Sequence, residues 1–207
     1  MNLQFGAGLD GPEEWVNVDA SPTLRLQRLP LAGALFRRCL QPVFGARVVY
    51  GDIVRGLPFA NGSVALVYCS HVLEHLALED FERALAEVHR LLKPGGVFRG
   101  VLPDLALEVQ AYLDCNEADR ASHFMRSTLL GTERRPRDVA GWIREALGNS
   151  RHTWMWDQRS LAGRLEAAGF TAVRPAVYND SECAAFTQVE AADRWKGAMG
   201  FECRKPG

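Results

Sequence analysis

The chain has no Cys-x-x-Cys pair, and its five cysteines (Cys39, Cys69, Cys115, Cys183 and Cys203) are scattered and odd in number. That spacing gives neither a disulfide framework nor a cysteine zinc site, so a reducing, cytoplasmic compartment is the expectation. A charge excess of one sign is also missing. With 24 Lys+Arg against 25 Asp+Glu the formal net charge is −1, which leaves no electrostatic footprint for non-specific nucleic-acid binding. No apolar run is long enough to span a bilayer, so no membrane role is expected. The first residues lack the basic-then-apolar pattern of a secretory signal and read as a strand from the start. There is no internal repeat and no low-complexity linker. Taken with 207 residues, 47% of them hydrophobic, these absences predict a single domain over residues 1–207 with one core.

What is present is alternation. Short apolar runs bounded by turn residues recur at Leu3–Phe5, Trp15–Val18, Ala46–Tyr50, Val64–Cys69, Val97–Leu102, Ala172–Tyr178 and Ala198–Cys203. The middle ones are apolar on both faces, as in buried parallel strands. Helical periodicity lies between them. It is clearest at Glu79–Lys93, where Phe81, Ala84, Leu85, Val88, Leu91 and Leu92 share one side and Lys93-Pro94-Gly95-Gly96 stops the helix. Another helix is predicted from an Asp157 N-cap, burying Leu161 and Leu165 and ending at Gly169. This rhythm predicts an α/β fold, an open and mostly parallel sheet with helices on both faces. The span from about 104 to 151 breaks the rhythm. It reads as a helical insertion, with Leu105, Val109, Tyr112 and Leu113 on one stripe, a basic loop Arg134-Arg135-Pro136-Arg137, and a further helix at Val139–Leu147. Such an insertion either covers a binding crevice or only adds packing.

Ligands of open α/β sheets sit beyond the carboxyl ends of the strands. The residues standing there are Gly6 and Gly8, Asp19, Asp52 and Ile53, Ser70 and His71, and Pro103-Asp104. The ordered set Gly51-Asp52-Ile53, Leu57-Pro58-Phe59, Ser63–Val67, Ser70-His71-Val72-Leu73-Glu74-His75-Leu76 and Leu91–Gly96 resembles class I S-adenosylmethionine-dependent methyltransferases, over roughly residues 2–104. The stretches Phe98–Leu105, His152–Asp157 and Ala168-Gly169-Phe170 are similar to a subgroup of small methyltransferases connected with sugar and cell-surface polysaccharide pathways.

The resemblance implies a Rossmann-like, seven-stranded, mostly parallel sheet with an antiparallel edge strand and a shortened first βα unit. It implies S-adenosylmethionine as cofactor and a small-molecule methyl acceptor, methylated on O or N, with a sugar or polysaccharide precursor as one class. It also implies residue roles. Phe5, Gly6, Ala7 and Gly8 would form the turn under the methionine moiety, and Asp19 would accept from the ribose hydroxyls. Asp52 would bond the adenine amino group with Ile53 beside the ring. Ser70 and His71 would border the sulfonium. His71, Asp104 and His152 are the candidate catalytic groups, Asp104 and His152 each having an alternative structural reading. Trp154 and Trp156 would wall the acceptor pocket or pack in the core, and Arg134, Arg135 and Arg137 would bind an anionic acceptor or stay solvated. One departure stands out: only 11 positions separate Gly8 from Asp19, with no room for the usual third glycine or first helix. That shortening keeps a second reading open, a non-catalytic methyltransferase-like binding or scaffold subunit.

His71-Val72-Leu73-Glu74-His75 also fits an inverted zinc-protease pattern. His71 follows a strand rather than lying on a helix, and no strong third ligand is apparent nearby, so no metal is expected. Oligomeric state is not legible.

Overall fold

The structure is a computed structural model and describes residues 1–133, 135, 137–138 and 151–207. All seven predicted strands form: β1 (Asn2–Phe5), β2 (Trp15–Asp19), β3 (Val48–Tyr50), β4 (Val64–Ser70), β5 (Leu92–Pro103), β6 (Thr171–Ala176) and β7 (Ala198–Arg204). They make one sheet in the order β3-β2-β1-β4-β5-β7-β6. The pairs β1/β2, β1/β4, β2/β3 and β4/β5 are parallel, while β7 runs antiparallel to both β5 and β6. The antiparallel end is therefore made by β7 lying one place in from the edge, and β6 is the edge itself.

Helices α1 (Pro22–Gln27), α2 (Gly33–Cys39), α3 (Leu78–Leu91), α4 (Leu105–Asp114), α5 (Arg120–Ser127) and α6 (Gln158–Ala167) connect the strands. The β1–β2 connection, residues 6–14, holds no helix, as its length dictates. Along β4 the alternation of a strand separates two cores. Val64, Val67 and Cys69 join the main cluster with Phe81, Leu85 and Val88 of α3 and Leu161 and Leu165 of α6. Tyr68 joins Trp15, Val97 and Phe186 in a second cluster.

One boundary differs from the periodicity. Helix α3 ends at Leu91 because Leu92 already pairs with Val64, ahead of a register shift in the ladder. Its terminal carbonyls are met by the Lys205 ammonium, 2.7 Å from His89 O and 2.9 Å from Leu92 O, a cation where the helix dipole favours one. Helix α6 starts as the sequence dictates: Asp157 accepts from Ser160 N at 2.7 Å in a capping box, and Gly169 takes φ +92° after its end. The apolar stripe predicted on α4 buries no residue; Leu107, Val109 and Leu113 are exposed. The predicted helix Val139–Leu147 and residues Arg134 and Pro136 lie outside the described residues.

Candidate active site

The strand order reverses between β1 and β4, so a crevice opens at their carboxyl ends. A cavity of about 440 Å³ occupies it, lined by Phe5, Gly6, Asp19–Pro22, Gly51–Val54, His71, Val72, His75 and Leu76. That volume is in the range of small-ligand sites. Of the nine predicted cofactor residues, Phe5, Gly6, Asp19, Asp52, Ile53 and His71 stand in the wall.

Gly6 opens the turn after β1 with φ +65°, and a Cβ there would collide with Val72 Cγ2. Only glycine lets the backbone take this conformation and approach the cavity floor so closely. Asp19, the last residue of β2, ties the turn down. One carboxylate oxygen accepts from Gly8 N at 3.0 Å and the other from Ser21 N at 2.8 Å. Burial pushes its pKa above the ordinary 3.8, and these two amides oppose the rise. Each oxygen keeps a further lone pair, so Asp19 can still accept from a ligand. Asp52, in the loop after β3, accepts from Val54 N at 3.0 Å and pairs with Arg55 at 3.2 Å. Its loop is held on α3: Glu87 accepts from Leu57 N, and Arg90 donates to the Leu57 and Phe59 carbonyls.

Ala7, Gly8 and Ser70 are not in the cavity wall. Gly8 acts through its amide on Asp19. Ser70 lies two residues beyond Tyr68 and so shares its sheet face, away from the cavity; its hydroxyl is buried without a partner. The structure adds wall residues that the sequence reading left out: Ala20, Ser21, Pro22, Gly51, Val54, Val72, His75 and Leu76.

The three candidate catalytic residues separate. His71 lines the cavity at φ +52°, a strained backbone for a non-glycine residue. Its Nε2–H donates to Arg194 O at 2.8 Å, and Nδ1 lies 3.3 Å from Glu74 Oε1. The neighbouring Glu74 carboxylate raises the His71 pKa. Asp104 caps α4, accepting from Ala106 N at 2.8 Å, and is not in the cavity wall. His152 sits behind the wall with Nε2 3.9 Å from Glu74 Oε1, its pKa lowered chiefly by burial. Trp156 is 2% exposed and stacks on Phe81 at 4.4 Å, so it belongs to the core, whereas Trp154 is half-exposed beside it. Arg135 and Arg137 are exposed.

A doubly wound sheet with an antiparallel β7, a glycine turn after its first strand and an acid ending its second defines the class I methyltransferase architecture. Residues 7–99 match the family model described as a methyltransferase domain. A probable methyltransferase, ltbC, of Aspergillus luteorubrus is 32% identical over 84 residues, covering 39% of this chain and 28% of that protein. The chain thus matches less than a third of that relative's length. Among solved structures, a Thermotoga maritima S-adenosylmethionine-dependent methyltransferase, a possible histamine N-methyltransferase, aligns with TM-score 0.52 at 15% identity, covering 99% of this chain and 81% of that one. A chain of the complex between the Haloferax volcanii Trm112 methyltransferase activator and a putative methyltransferase aligns with TM-score 0.51 at 16% identity, with the same coverages. The chain thus has the fold of the class I methyltransferases and resembles their methyltransferase-domain family over residues 7–99. Among the described residues, no helix is long and apolar enough to cross a membrane.

Proposed function

We propose that this protein transfers a methyl group from S-adenosylmethionine to an oxygen or nitrogen of a small molecule, a sugar or polysaccharide precursor being the acceptor class the sequence favours. The observation that carries the reading is Asp19: a carboxylate at the end of β2, fixed by two backbone amides, with lone pairs left at the cavity wall. That arrangement suits the two ribose hydroxyls. Asp52 and Ile53, across the same cavity, suit the adenine edge and face. Gly6 leaves room for the amino-acid end.

The bound cofactor supplies an electrophilic methyl on a sulfonium with a good leaving group. The chain's own work is then mainly orientation, which contributes several kcal/mol when reacting atoms are held in line. Of the three residues first considered as bases, His71 alone borders the cavity. Its Nε2 is held by Arg194 O and its Nδ1 lies beside Glu74, so its part is to wall the reacting centre. The segment 104–151 follows the carboxyl end of β5 in the chain, and covering the acceptor is the part this reading gives it. Calorimetric titration with S-adenosylmethionine and S-adenosylhomocysteine tests the reading. Binding near one per chain is the expected result, followed by methylation of hydroxyl-bearing acceptors. No binding by either at millimolar concentration would overturn it in favour of a scaffold role.

A further inference from the structure

Glu74 is 1% exposed, and neither of its carboxylate oxygens has a hydrogen-bond partner. A buried carboxylate left unsatisfied on both oxygens is rare and calls for a cation or a proton. Three imidazoles surround it. His71 Nδ1 is at 3.3 Å without hydrogen-bond alignment, and His152 Nε2 is at 3.9 Å. His75 completes a set in which one ligand atom each of Glu74, His75 and His152 lies within 4.8 Å of the other two.

The backbone builds this cluster. Thr153 N and Trp154 N both donate to Glu74 O, at 2.7 and 3.1 Å, and Thr153 Oγ1 donates to His75 O. These bonds clip residues 152–154 onto the 3₁₀ turn Leu73–His75 and bring His152 to a site the sequence separates it from. His75 donates its Nδ1–H to Arg151 O at 2.7 Å, which fixes the tautomer with a lone pair on Nε2. A carbonyl holding the far N–H of an imidazole is the usual outer support of a metal-bound histidine. His152 Nδ1 is buried and unpartnered. His75 faces the cavity, which gives an ion a way in.

We propose that Glu74, His75 and His152 bind one divalent transition-metal ion at the edge of the cofactor cavity, with two coordination positions open toward it. One carboxylate and two imidazoles suit Zn²⁺, Co²⁺ or Fe²⁺ better than Mg²⁺ or Ca²⁺. Metal–ligand bonds of about 2.1 Å ask only for side-chain rotations that draw the three ligand atoms together. The role of the ion rests on the methyl-transfer reading above and names its acceptor class: a hydroxyl with a second oxygen beside it, such as a vicinal diol or a 2-hydroxy acid, able to chelate at the open positions. Coordination lets the hydroxyl release its proton to water. Its oxygen lone pair then forms the O–CH₃ bond while the S–CH₃ pair withdraws onto sulfur, leaving the thioether.

Chelator-stripped, tag-free protein is titrated with Co²⁺ and Zn²⁺ by calorimetry and visible absorption, and separately with S-adenosylhomocysteine. The expected result is one Co²⁺ per chain at micromolar affinity with visible d–d bands, competed by Zn²⁺. Glu74→Gln and His152→Asn, each checked for native near-ultraviolet circular dichroism, should weaken it by at least about tenfold; the second variant serves if the buried first one fails to fold. No uptake at millimolar Co²⁺, or uptake unchanged in the folded variants, overturns the site. S-adenosylhomocysteine binding without Co²⁺ uptake overturns the metal and leaves methyl transfer standing. Co²⁺ uptake without S-adenosylhomocysteine binding upholds the metal site and overturns its place in methyl transfer.

Discussion

Replacing Asp19 by alanine removes the one group that the whole cofactor assignment turns on. Each hydrogen bond from a ribose hydroxyl to this carboxylate is a neutral-to-charged one, contributing about 1.5–3 kcal/mol when made in a shielded site. Two such bonds at a half-buried position contribute roughly 3–4 kcal/mol, or about 100- to 1,000-fold in Kd at 1.4 kcal/mol per decade. The fold should suffer much less. The amides of Gly8 and Ser21 lose their acceptor, but both lie close enough to solvent for water to replace it, a cost of about 1 kcal/mol. Isothermal titration with S-adenosylhomocysteine, beside thermal melts, separates the two effects. pH separates them again. Because burial raises the folded pKa of Asp19 above 3.8, the native apo protein takes up this proton before the unfolded chain does. Apo stability therefore gains from Asp19 as pH falls through the folded pKa. Cofactor affinity needs the ionised acceptor, so it falls over the same range. An Asp19→Ala protein that melts cooperatively yet binds S-adenosylhomocysteine within about threefold of wild type would refute the reasoning.

Gly6→Ala should cost about 2 kcal/mol, from a positive-φ backbone and the clash with Val72. Val72→Ala in that background should recover the steric part only, read by urea denaturation. Arg99 is fully buried with Glu190 and Glu202, also bonds Val177 O at 2.7 Å, and stacks over Trp195. Arg99→Met leaves Glu190 only the Asn179 amide and Glu202 only Arg174 and should lower stability by about 3 kcal/mol; a loss under about 1 kcal/mol in chemical denaturation would mean that these partners and water suffice. Asp157→Ala removes the α6 cap and should cost about 1 kcal/mol at neutral pH. The Ser160 amide lowers the Asp157 pKa, so the wild-type advantage should disappear as pH falls through that lowered value, which paired acid titrations of stability would follow.

Strands were legible because each is a short apolar run closed by turn residues, and their alternation with helices dictates the sheet. The ends were less so. Lys93-Pro94-Gly95-Gly96 reads as a stop, yet β5 begins at Leu92 through a register shift that only pairing with β4 reveals. Within the site, Gly6, Asp19, Asp52 and His71 were legible because they close strands. Val72, His75 and Leu76 were not, since a strand-to-turn exit carries no periodic signal. His152 could be singled out but not joined to Glu74, because amide bonds from Thr153 and Trp154 make that juxtaposition. Trp156 shows the reverse: a large aromatic near a site reads equally as wall or core, and stacking on Phe81 settles it as core.

The bond from Leu105 N to Trp156 O, 2.8 Å, with the parallel bridge Asp104–Trp156, closes the chain on itself at the base of its helical excursion. Both feet of that excursion stand on the sheet, one at the end of β5 and the other at the cap of α6. Lengthening a flexible loop with fixed ends raises its closure cost only logarithmically, about 0.6 kcal/mol per doubling. The chain between these two residues is thus a replaceable cassette. Its length and side chains can drift through evolution, or be exchanged by design between Asp104 and Trp156, while the sheet keeps its register.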